Sequence, residues 1–192
     1  MPPDALSLTA DILADFWSRL TEATGQVDHP FRTAAFATVA VDGAVTARTI
    51  VVRYVQREAA AVTFHTDRRS AKFTALQADP RCAFLFYDAA DKLQARLTAR
   101  ATLHTDDPIA DDLWVATPPA SRGPYASPLA PGTALTELPV APPPPVGDGR
   151  AQFVAVRCTV LAIDWLHLHK AAHRRVKFDL RQGTVASQIV AP

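Results

Sequence analysis

The first part of the chain carries the apolar spacing of an amphipathic helix. Between residues 9 and 24, apolar side chains recur at steps of three and four positions, with acidic residues and one arginine between them. This spacing places the apolar side chains on one face of a helix. It therefore predicts an N-terminal helix over residues 9–24.

The pattern then changes to the two-residue alternation that is typical of β-strands. Asp42-Gly43 predicts the turn of the first hairpin, and Gln182-Gly183 predicts the last turn. Two further helices are predicted, at 70–78 with Ser70 as N-cap and at 106–116. Strands are predicted at 34–41, 44–55, 60–66, 81–87, 93–104, 153–168, 176–180 and 185–190. Most of these strands follow one another as hairpins, which favours a mainly β fold, an antiparallel barrel with peripheral α-helices, over a doubly wound α/β sheet.

A proline-rich segment interrupts this pattern. Between Pro118 and Pro145 the chain holds 10 of its 16 prolines. Neither a helix nor a central strand accommodates that density of proline. A loop this long inside a compact domain usually has a function, so residues 118–150 are predicted to form a long loop or lid beside a pocket.

Composition narrows the class of protein. The 192 residues suit one domain over 1–192, and a net charge of +1 offers no basic excess for a nucleic-acid partner. Cys82 and Cys158 each lie in an apolar run, which is typical of buried thiols in a reducing compartment. We therefore expect a cytoplasmic protein. The start of the chain lacks the pattern of a signal peptide, and no apolar run is long enough for a membrane span.

Familiar catalytic motifs are missing from the sequence. Gly147-Asp-Gly149 follows a proline run and lacks the third glycine of a dinucleotide-binding turn. The sequence also lacks a P-loop and a Gly-x-Ser-x-Gly elbow. His167, His169 and His173 have no carboxylate or cysteine at ligand spacing, so no metal site is predicted.

Cations stand at the ends of the predicted strands. Arg48 and Arg53 flank a fully apolar stretch, and Ser70 and Lys72 follow the strand that ends in His65-Thr66. Because a helix N-terminus has unpaired N–H groups, Ser70, Lys72 and Arg48 together could hold a phosphate. The pattern alone favours the alternative, a solvated turn that carries surface arginines.

A second candidate set lies in the later strands. Gln94 could pair with the edge of a flat heterocycle, and Trp165 could pack against its face. The alternative is that Gln94 and Arg96 lie on an exposed strand face and that Trp165 lies in the core.

Taken together, these segments resemble the pyridoxamine 5'-phosphate oxidase family of FMN-binding split barrels. The resemblance extends from about His29 to the C-terminus and rests on the order and spacing of its segments. They are Phe36-Ala-Thr-Val, Asp42-Gly43, Arg48-Thr-Ile-Val-Val-Arg53, Phe64-His-Thr-Asp, Ser70-Ala-Lys72, Asp79-Pro80-Arg81, Gln94-Ala-Arg96, Trp165 and His173-Arg-Arg-Val-Lys177-Phe178. The resemblance implies a Greek-key antiparallel split β-barrel of the FMN-binding type.

The resemblance also implies FMN as cofactor and a homodimer with two flavin sites that lie across its interface. Arg48 and Lys72 take the positions that bind the phosphate, while His65 and Thr66 line the flavin. Gln94 takes the position that reaches the ring system, and Trp165 packs near it. The full set of cofactor residues that it implies is Arg48, Thr49, Val52, Arg53, His65, Thr66, Ser70, Lys72, Gln94, Trp165 and Lys177.

Departures from the family pattern concern the substrate more than the cofactor. Ala71 stands where the family has an arginine, so one phosphate contact is lost unless Arg68 or Arg69 replaces it. Arg53 replaces the lysine that faces the substrate. The family's substrate-phosphate clamp of Tyr, Arg and Ser reads here as Leu113, Thr117 and Ser121. The Arg-Leu-His segment that holds the pyridine ring has no clear counterpart.

The expected function is that of an FMN-binding oxidoreductase related to pyridoxamine 5'-phosphate oxidase. Hydride would move between a small substrate and flavin N5. No catalytic residue is assigned, and the candidate substrate contacts are Arg53, Ser121, Arg174 and Arg175. One alternative is a flavin-binding carrier or sensor without turnover, and a more distant one is a barrel without flavin.

Overall fold

The computed structural model describes residues 5–181 and 185–192, so the predicted turn at Gln182-Gly183 lies outside the described residues. Its helices are α1 (Ala5–Glu22), α2 (Ala71–Ala78) and α3 (Pro108–Ala116). Its strands are β1 (Thr33–Val39), β2 (Val45–Val51), β3 (Tyr54–Gln56), β4 (Ala61–Asp67), β5 (Arg81–Asp88), β6 (Leu93–His104), β7 (Phe153–Leu168), β8 (His173–Asp179) and β9 (Ala186–Val190). None of the described helices is both long and apolar enough to cross a membrane.

The predicted strand over 44–55 is two strands, β2 and β3, which corrects the sequence-based expectation. At Val52 and Arg53 the chain leaves β2 and moves to a different neighbour. The Val52 N–H donates to Arg32 O (3.0 Å), and the Arg53 N–H donates to Thr63 O (2.9 Å). Because Ile50, Val51 and Val52 are all apolar, the hydrophobic pattern alone does not mark the end of β2.

This two-residue crossover shapes the sheet. The main path of the antiparallel sheet runs β2-β1-β5-β6-β7-β4-β3, so β2 and β3 stand at opposite ends although only Val52 and Arg53 separate them. The path must therefore curl until its ends meet. β2 touches β4, but the described residues of these two strands form no ladder with each other. The fold is an antiparallel split β-barrel, as predicted, and its split lies between β2 and β4.

The long strand β7 belongs to two parts of the sheet. Along one edge, its residues from Phe153 to Thr159 pair with β4, and those from Ala162 to Leu168 pair with β8. β6 pairs with the opposite edge over most of the length of β7. β8 and β9 therefore extend the sheet beyond the barrel.

Aromatic side chains fill the barrel. The fully buried Phe36 of β1 contacts Phe64 of β4 across the split, with ring centroids 4.8 Å apart, and contacts Phe84 of β5 at 4.9 Å. Helix α1 closes the barrel with Phe16 and Leu20, which are also fully buried. These rings keep β1 and β4 together where no backbone hydrogen bonds do.

The proline-rich segment at 118–150 has neither an α-helix nor a strand, as expected, and the structure describes all of it. It begins with two short 3-10 turns, Pro119–Ser121 and Gly123–Ala126. Residues 131–142 are exposed, and the Val146 N–H then returns to Ala126 O at 2.7 Å. Only the ends of the segment are fixed against the body of the protein.

We expect Phe36→Ala to lower the free energy of unfolding by about 3–5 kcal/mol, because it removes a fully buried ring that bridges the split. Urea denaturation followed by tryptophan fluorescence measures the change. Leu138→Ala is the control, since Leu138 is 94% exposed and its loss should cost less than about 0.5 kcal/mol. A Phe36→Ala loss near that of the control would contradict this account of the core.

Candidate functional site

Arg48 lies at one lip of the split. It is in register with Phe36 on β1, and so points to the same side of β2 as the core residues. Its guanidinium donates to Phe36 O (3.2 Å), Thr38 Oγ1 (2.8 Å) and Thr46 Oγ1 (2.6 Å). Partial burial lowers the pKa of Arg48. Within the described chain, this half-buried cation has neutral acceptors only.

Lys72 lies at the opposite lip. Its Nζ donates to Thr66 Oγ1 at 3.0 Å, and Thr66 Oγ1 lies 3.2 Å from Ser70 Oγ. Burial lowers the pKa of Lys72, and the charge of Arg48 lowers it further, while Asp67 opposes both effects. Ser70 precedes α2 but does not cap it with its side chain, and the N–H of Phe73, the third residue of that helix, donates to Ser70 O at 3.0 Å.

The nearby carboxylate of Asp67 is already engaged. Asp67 Oδ2 accepts from Arg69 Nη2 at 2.7 Å, and Asp67 Oδ1 accepts from Arg69 Nε at 3.0 Å and from its N–H at 2.7 Å. Arg68 pairs instead with Asp106. Both arginines therefore already have a carboxylate partner.

We call Arg48, Thr66, Ser70 and Lys72 the cation–hydroxyl cluster. Its hydroxyl residues, Thr66 and Ser70, are buried and its cations are partly buried, so it is not a solvated turn. Two cations that share a partly buried space repel each other unless an anion lies between them. The arrangement therefore suits an anion with several oxygens, such as a phosphate.

A cleft of about 360 Å³ opens beside Arg53 and His65. Arg53 is half-buried and, in the parts of the chain that the structure describes, has no hydrogen-bond acceptor or ion-pair partner for its side chain. Among the described residues, none with a carboxylate lines the cleft. The residues that line it are Thr24, Arg32, Arg53, Tyr54, His65, Thr117 and Pro118.

His65 forms an uncharged wall of this cleft. Burial lowers the pKa of His65 to about 4, and the charge of Arg53 contributes in the same direction. Its ring packs edge-on against Phe153, with centroids 4.6 Å apart, and lies 5.9 Å from Tyr54. His65 Nε2 is buried without a hydrogen-bond partner among the described residues. The imidazole is neutral at neutral pH.

Gln94 and Trp165 do not share a pocket within one chain. Gln94 pairs with Leu166, while Trp165 pairs with Ala95, so their side chains point to opposite faces of the sheet. Trp165 is only 5% exposed and packs in the core, and Gln94 lies on the outer face. This placement agrees with the alternative interpretation of the sequence, in which Gln94 lies on an outward strand face and Trp165 lies in the core. Trp165 Nε1 nevertheless lacks a partner in the described structure.

The outer face of the sheet carries the other implied residues. One row across the outer face holds Arg96 of β6, Asp164 of β7 and Lys177 of β8. Thr49 of β2 lies at the far end of the same row, beyond β5 and β1. Arg175 and Arg96 both form ion pairs with Asp164. These contacts lower the pKa of Asp164 to about 2, and the hydrogen bond from Arg175 has the largest effect. Arg175 therefore already has an ion-pair partner, which it shares with Arg96, whereas Arg174 and Lys177 are exposed.

The candidate substrate contacts are not brought together in one chain. The Arg53 N–H binds Thr63, which pairs with Arg157, whereas Arg175 pairs with Leu166. Positions 157 and 166 lie nine residues apart on β7. That separation is roughly 30 Å at about 3.3 Å per residue. The half-buried Ser121 follows Pro118 without lining the cleft.

Sequence reasoning missed several residues of the site. Thr38 and Thr46 hold Arg48, and their direct pairing across β1 and β2 was readable once the Asp42-Gly43 hairpin was recognised. Arg32 also lines the cleft. Its Nη1 donates to the two carbonyl groups that directly follow α1. No local pattern in the sequence signals that contact.

Among the described residues, no group of three or more His, Cys, Asp or Glu side chains is placed to hold a metal ion. His167 and His169 are neighbours, with ring centroids 5.5 Å apart. Their surroundings include no third ligand of this kind in the described chain.

We expect the pH dependence of stability to report on His65. Its folded pKa of about 4 lies below the ordinary value of 6.5, so the unfolded chain takes up the proton first as the pH falls. The contribution of His65 should therefore lower stability between about pH 6.5 and pH 4, by on the order of 3 kcal/mol, and this contribution should be constant below pH 4. Urea denaturation across this range measures the slope.

His65→Gln should flatten this slope, whereas His169→Gln, at an exposed histidine, should leave it unchanged. A steep slope that persists in His65→Gln would show that other groups cause the dependence. In the original protein, NMR should show that the His65 ring stays unprotonated down to about pH 4.

Comparison of the sequence and the structure with known proteins identifies the family of this chain. Residues 20–140 match the family model described as pyridoxamine 5'-phosphate oxidase. A pyridoxamine 5'-phosphate oxidase-related, FMN-binding protein from Nostoc punctiforme is similar in structure (TM-score 0.73, 23% identity), covering 93% of this chain and 96% of its own. PhzG from Burkholderia lata, in complex with tetrahydrophenazine-1-carboxylic acid, has a TM-score of 0.69 at 19% identity, covering 100% and 94%.

A third similar structure is a Clostridium acetobutylicum protein related to general stress protein 26 of B. subtilis. Its TM-score is 0.56 at 11% identity, and the match covers 85% of this chain and 96% of that one. No curated protein matches the sequence. These structures share the fold of this chain, and the family model matches more than half of its length. The chain belongs to the pyridoxamine 5'-phosphate oxidase family.

Proposed function

We propose that this protein is an FMN-binding oxidoreductase that acts on a small molecule as a homodimer with two flavin sites. The observation that carries the proposal is the cation–hydroxyl cluster in the split of the barrel. Arg48 and Lys72 repel each other there, and Asp67 is engaged by Arg69. A phosphate between the two cations removes this repulsion and accepts hydrogen bonds from both.

The residues present fit FMN at its two ends. Arg48, Lys72, Thr66 and Ser70 would hold the phosphate. Two of the buried polar atoms that lack a partner in the described chain, His65 Nε2 and Trp165 Nε1, belong to residues that the family resemblance assigns to the flavin. When bound, FMN supplies hydride transfer at its N5 atom.

The placement of the remaining cofactor residues supports two chains per site. Gln94 and Lys177 lie on the outer face of the sheet, whereas Arg48 points inward three and more strands away. A single flavin can reach both groups only if they come from different chains. The outer face also presents a row of small side chains, suited to the close approach of a second copy: Ala47, Ala37, Ala83, Thr98 and Ala162.

The protein's own groups would position a substrate more than exchange protons with it. Arg53 is half-buried, has no side-chain partner among the described residues and offers its guanidinium to an anion, whereas Arg174 is an exposed cation. His65 is neutral well below pH 7, so it would present an imidazole and not an imidazolium to the cleft. Pro118 lines the cleft, which supports a lid role for the segment at 118–150 that begins there.

A specific observation favours a second candidate, a flavin-binding carrier or sensor without turnover. Leu113 packs against a small apolar cluster that contains Trp114 and Phe153, and Thr117 Oγ1 donates to Leu113 O at 2.7 Å. These two positions of the family's phosphate clamp therefore have structural roles here. Anaerobic mixing with pyridoxamine phosphate, pyridoxine phosphate or reduced nicotinamide distinguishes the candidates, because only a reductant of the enzyme bleaches bound flavin.

A cytoplasmic location is part of the proposal. Cys82 and Cys158 are free, buried thiols whose sulfur atoms lie 3.8 Å apart. Burial, and then the neighbouring Cys82, raise the pKa of Cys158 well above its ordinary value. A pair of close thiols that stays reduced suits a reducing compartment. The balanced charge of the chain favours a small-molecule partner over nucleic acid.

We expect purified protein to bind FMN, and Arg48→Ala to weaken that binding by on the order of 2 kcal/mol or more, because a charge-assisted contact to phosphate is lost. Quenching of FMN fluorescence during titration measures the affinity. Arg100→Ala, which removes an exposed arginine on β6, is the matched control and should bind like the original protein. A colourless protein that takes up no added FMN would exclude this function.

We expect the protein to be a dimer, and Ala83→Arg to yield a monomer, because the arginine would stand on the exposed outer face proposed as the interface. Size-exclusion chromatography with light scattering gives the mass. Ala10→Arg on the exposed side of α1 is the control and should remain dimeric. A native monomer that binds FMN fully would contradict the two-chain site.

A further inference from the structure

Helix α3 and the outer face of the sheet enclose a second space, which we call the α3 groove and which measures about 310 Å³. Trp114 of α3 packs on Phe153 of β7, and Arg157 lies on the same face of β7 as Phe153, four residues along the strand. Tyr54 of β3, Thr63 of β4 and Arg157 are paired in register, so they form one row across three strands. This row lines the groove on the side of the sheet, and α3 lines it on the other.

Two opposite charges line the α3 groove without pairing with each other. Arg157 is half-buried, and its guanidinium has no hydrogen-bond acceptor or ion-pair partner among the described residues. Asp112 of α3 carries the carboxylate of the lining, and it likewise has no partner within the described ranges. Both charges are therefore available to a ligand in the groove.

His104 also lines the groove but adds no net positive charge to it. Its Nδ1 lies 2.7 Å from Asp107 Oδ2, and Asp107 Oδ1 accepts from the N–H of Ala110 in the first turn of α3. A protonated imidazole would be balanced by this carboxylate, and a neutral imidazole carries no charge. Arg157 is therefore the cation of the groove, and Asp112 is the anion that faces it.

A ligand that carries both charges matches this lining better than a simple ion does. The guanidinium fork of Arg157 suits the two oxygens of a carboxylate. The buried Thr63 offers a further donor, because its hydroxyl has no hydrogen bond in the part of the chain that the structure describes. An ammonium group on the same ligand would pair with Asp112. A simple anion would leave Asp112 as a like charge beside it, and a simple cation would meet Arg157.

Apolar side chains complete the lining of the α3 groove. Ile109 and Leu113 lie four residues apart on α3, so they are neighbours on one side of the helix, and Val55 of β3 also lines the groove. Ile109 is 42% exposed, so a ligand that packs on it removes apolar surface from water. These neighbours suit one branched aliphatic side chain.

We propose that the α3 groove binds a small zwitterion, an α-amino acid with an apolar side chain, with its carboxylate on Arg157 and its ammonium group on Asp112. The site goes beyond the proposed function, because it uses neither the cation–hydroxyl cluster nor Arg53. Tyr54 lines both the α3 groove and the cleft, so the two spaces are neighbours.

Three probes with the same branched chain test both charges. L-leucine carries both, isocaproate lacks the ammonium group, and isoamylamine lacks the carboxylate. We expect L-leucine to bind about tenfold more tightly than isoamylamine and about fivefold more tightly than isocaproate, because each of these probes loses one charge-assisted contact. Titration of the purified protein, followed by NMR chemical shifts, measures the three affinities. Equal binding of L-leucine and isocaproate would identify a plain anion site and overturn the proposal, as would the absence of L-leucine binding.

Variants of the two charged residues test their assigned partners. Asp112→Asn should remove the preference for L-leucine over isocaproate, and Arg157→Gln should remove the preference over isoamylamine. Because Asp112 is exposed, its variant should fold like the original protein. Asp11→Asn and Arg100→Gln, at exposed positions on α1 and β6, are the matched controls and should keep both preferences. If Asp112→Asn keeps its full preference for L-leucine, the proposal is wrong.

Arg53→Gln distinguishes the α3 groove from the cleft. Arg53 lines the cleft but not the groove, so this variant should discriminate among the three probes like the original protein. A loss of the preference for L-leucine in Arg53→Gln would place the amino acid in the cleft and overturn the assignment.

Discussion

The crossover at Val52 and Arg53 is the constraint on which the rest of the structure depends. Two residues join the opposite ends of a seven-strand path, and their N–H groups are fixed by Arg32 and Thr63. The sheet must therefore close, yet β2 and β4 meet without a ladder. The crossover directly follows β2, which carries Arg48, and it places Arg53 in the lining of the cleft, so it adjoins both candidate sites.

Electrostatics gives this split its chemical character. Arg48 and Lys72 come from opposite lips, and burial lowers the pKa of both. The carboxylate that could have compensated them, Asp67, is held by Arg69. Folding thus brings like charges together, and aromatic packing such as that of Phe36 on Phe64 offsets their repulsion. Anion binding would reduce this repulsion and so raise the free energy of unfolding, which links stability to ligand occupancy.

Much of the fold could be predicted from local pattern, because alternation and turn residues are local properties. β6 and β7 occupy the predicted ranges, and the Asp42-Gly43 hairpin forms as expected. The break at Val52 could not be predicted, because its cause is a hydrogen bond to Arg32, twenty residues away. The opposite orientation of Gln94 and Trp165 likewise depends on which neighbour each residue pairs with, and spacing alone does not show that.

A crystal structure of the protein grown with FMN tests the central claim most directly. The account expects the phosphate between Arg48 and Lys72 in the split of one protomer, with the outer-face residues Gln94 and Lys177 of a second copy near the same flavin. It also expects the Lys72–Thr66 contact to open toward the phosphate. A flavin bound wholly by one chain, or a phosphate away from the split, would contradict it.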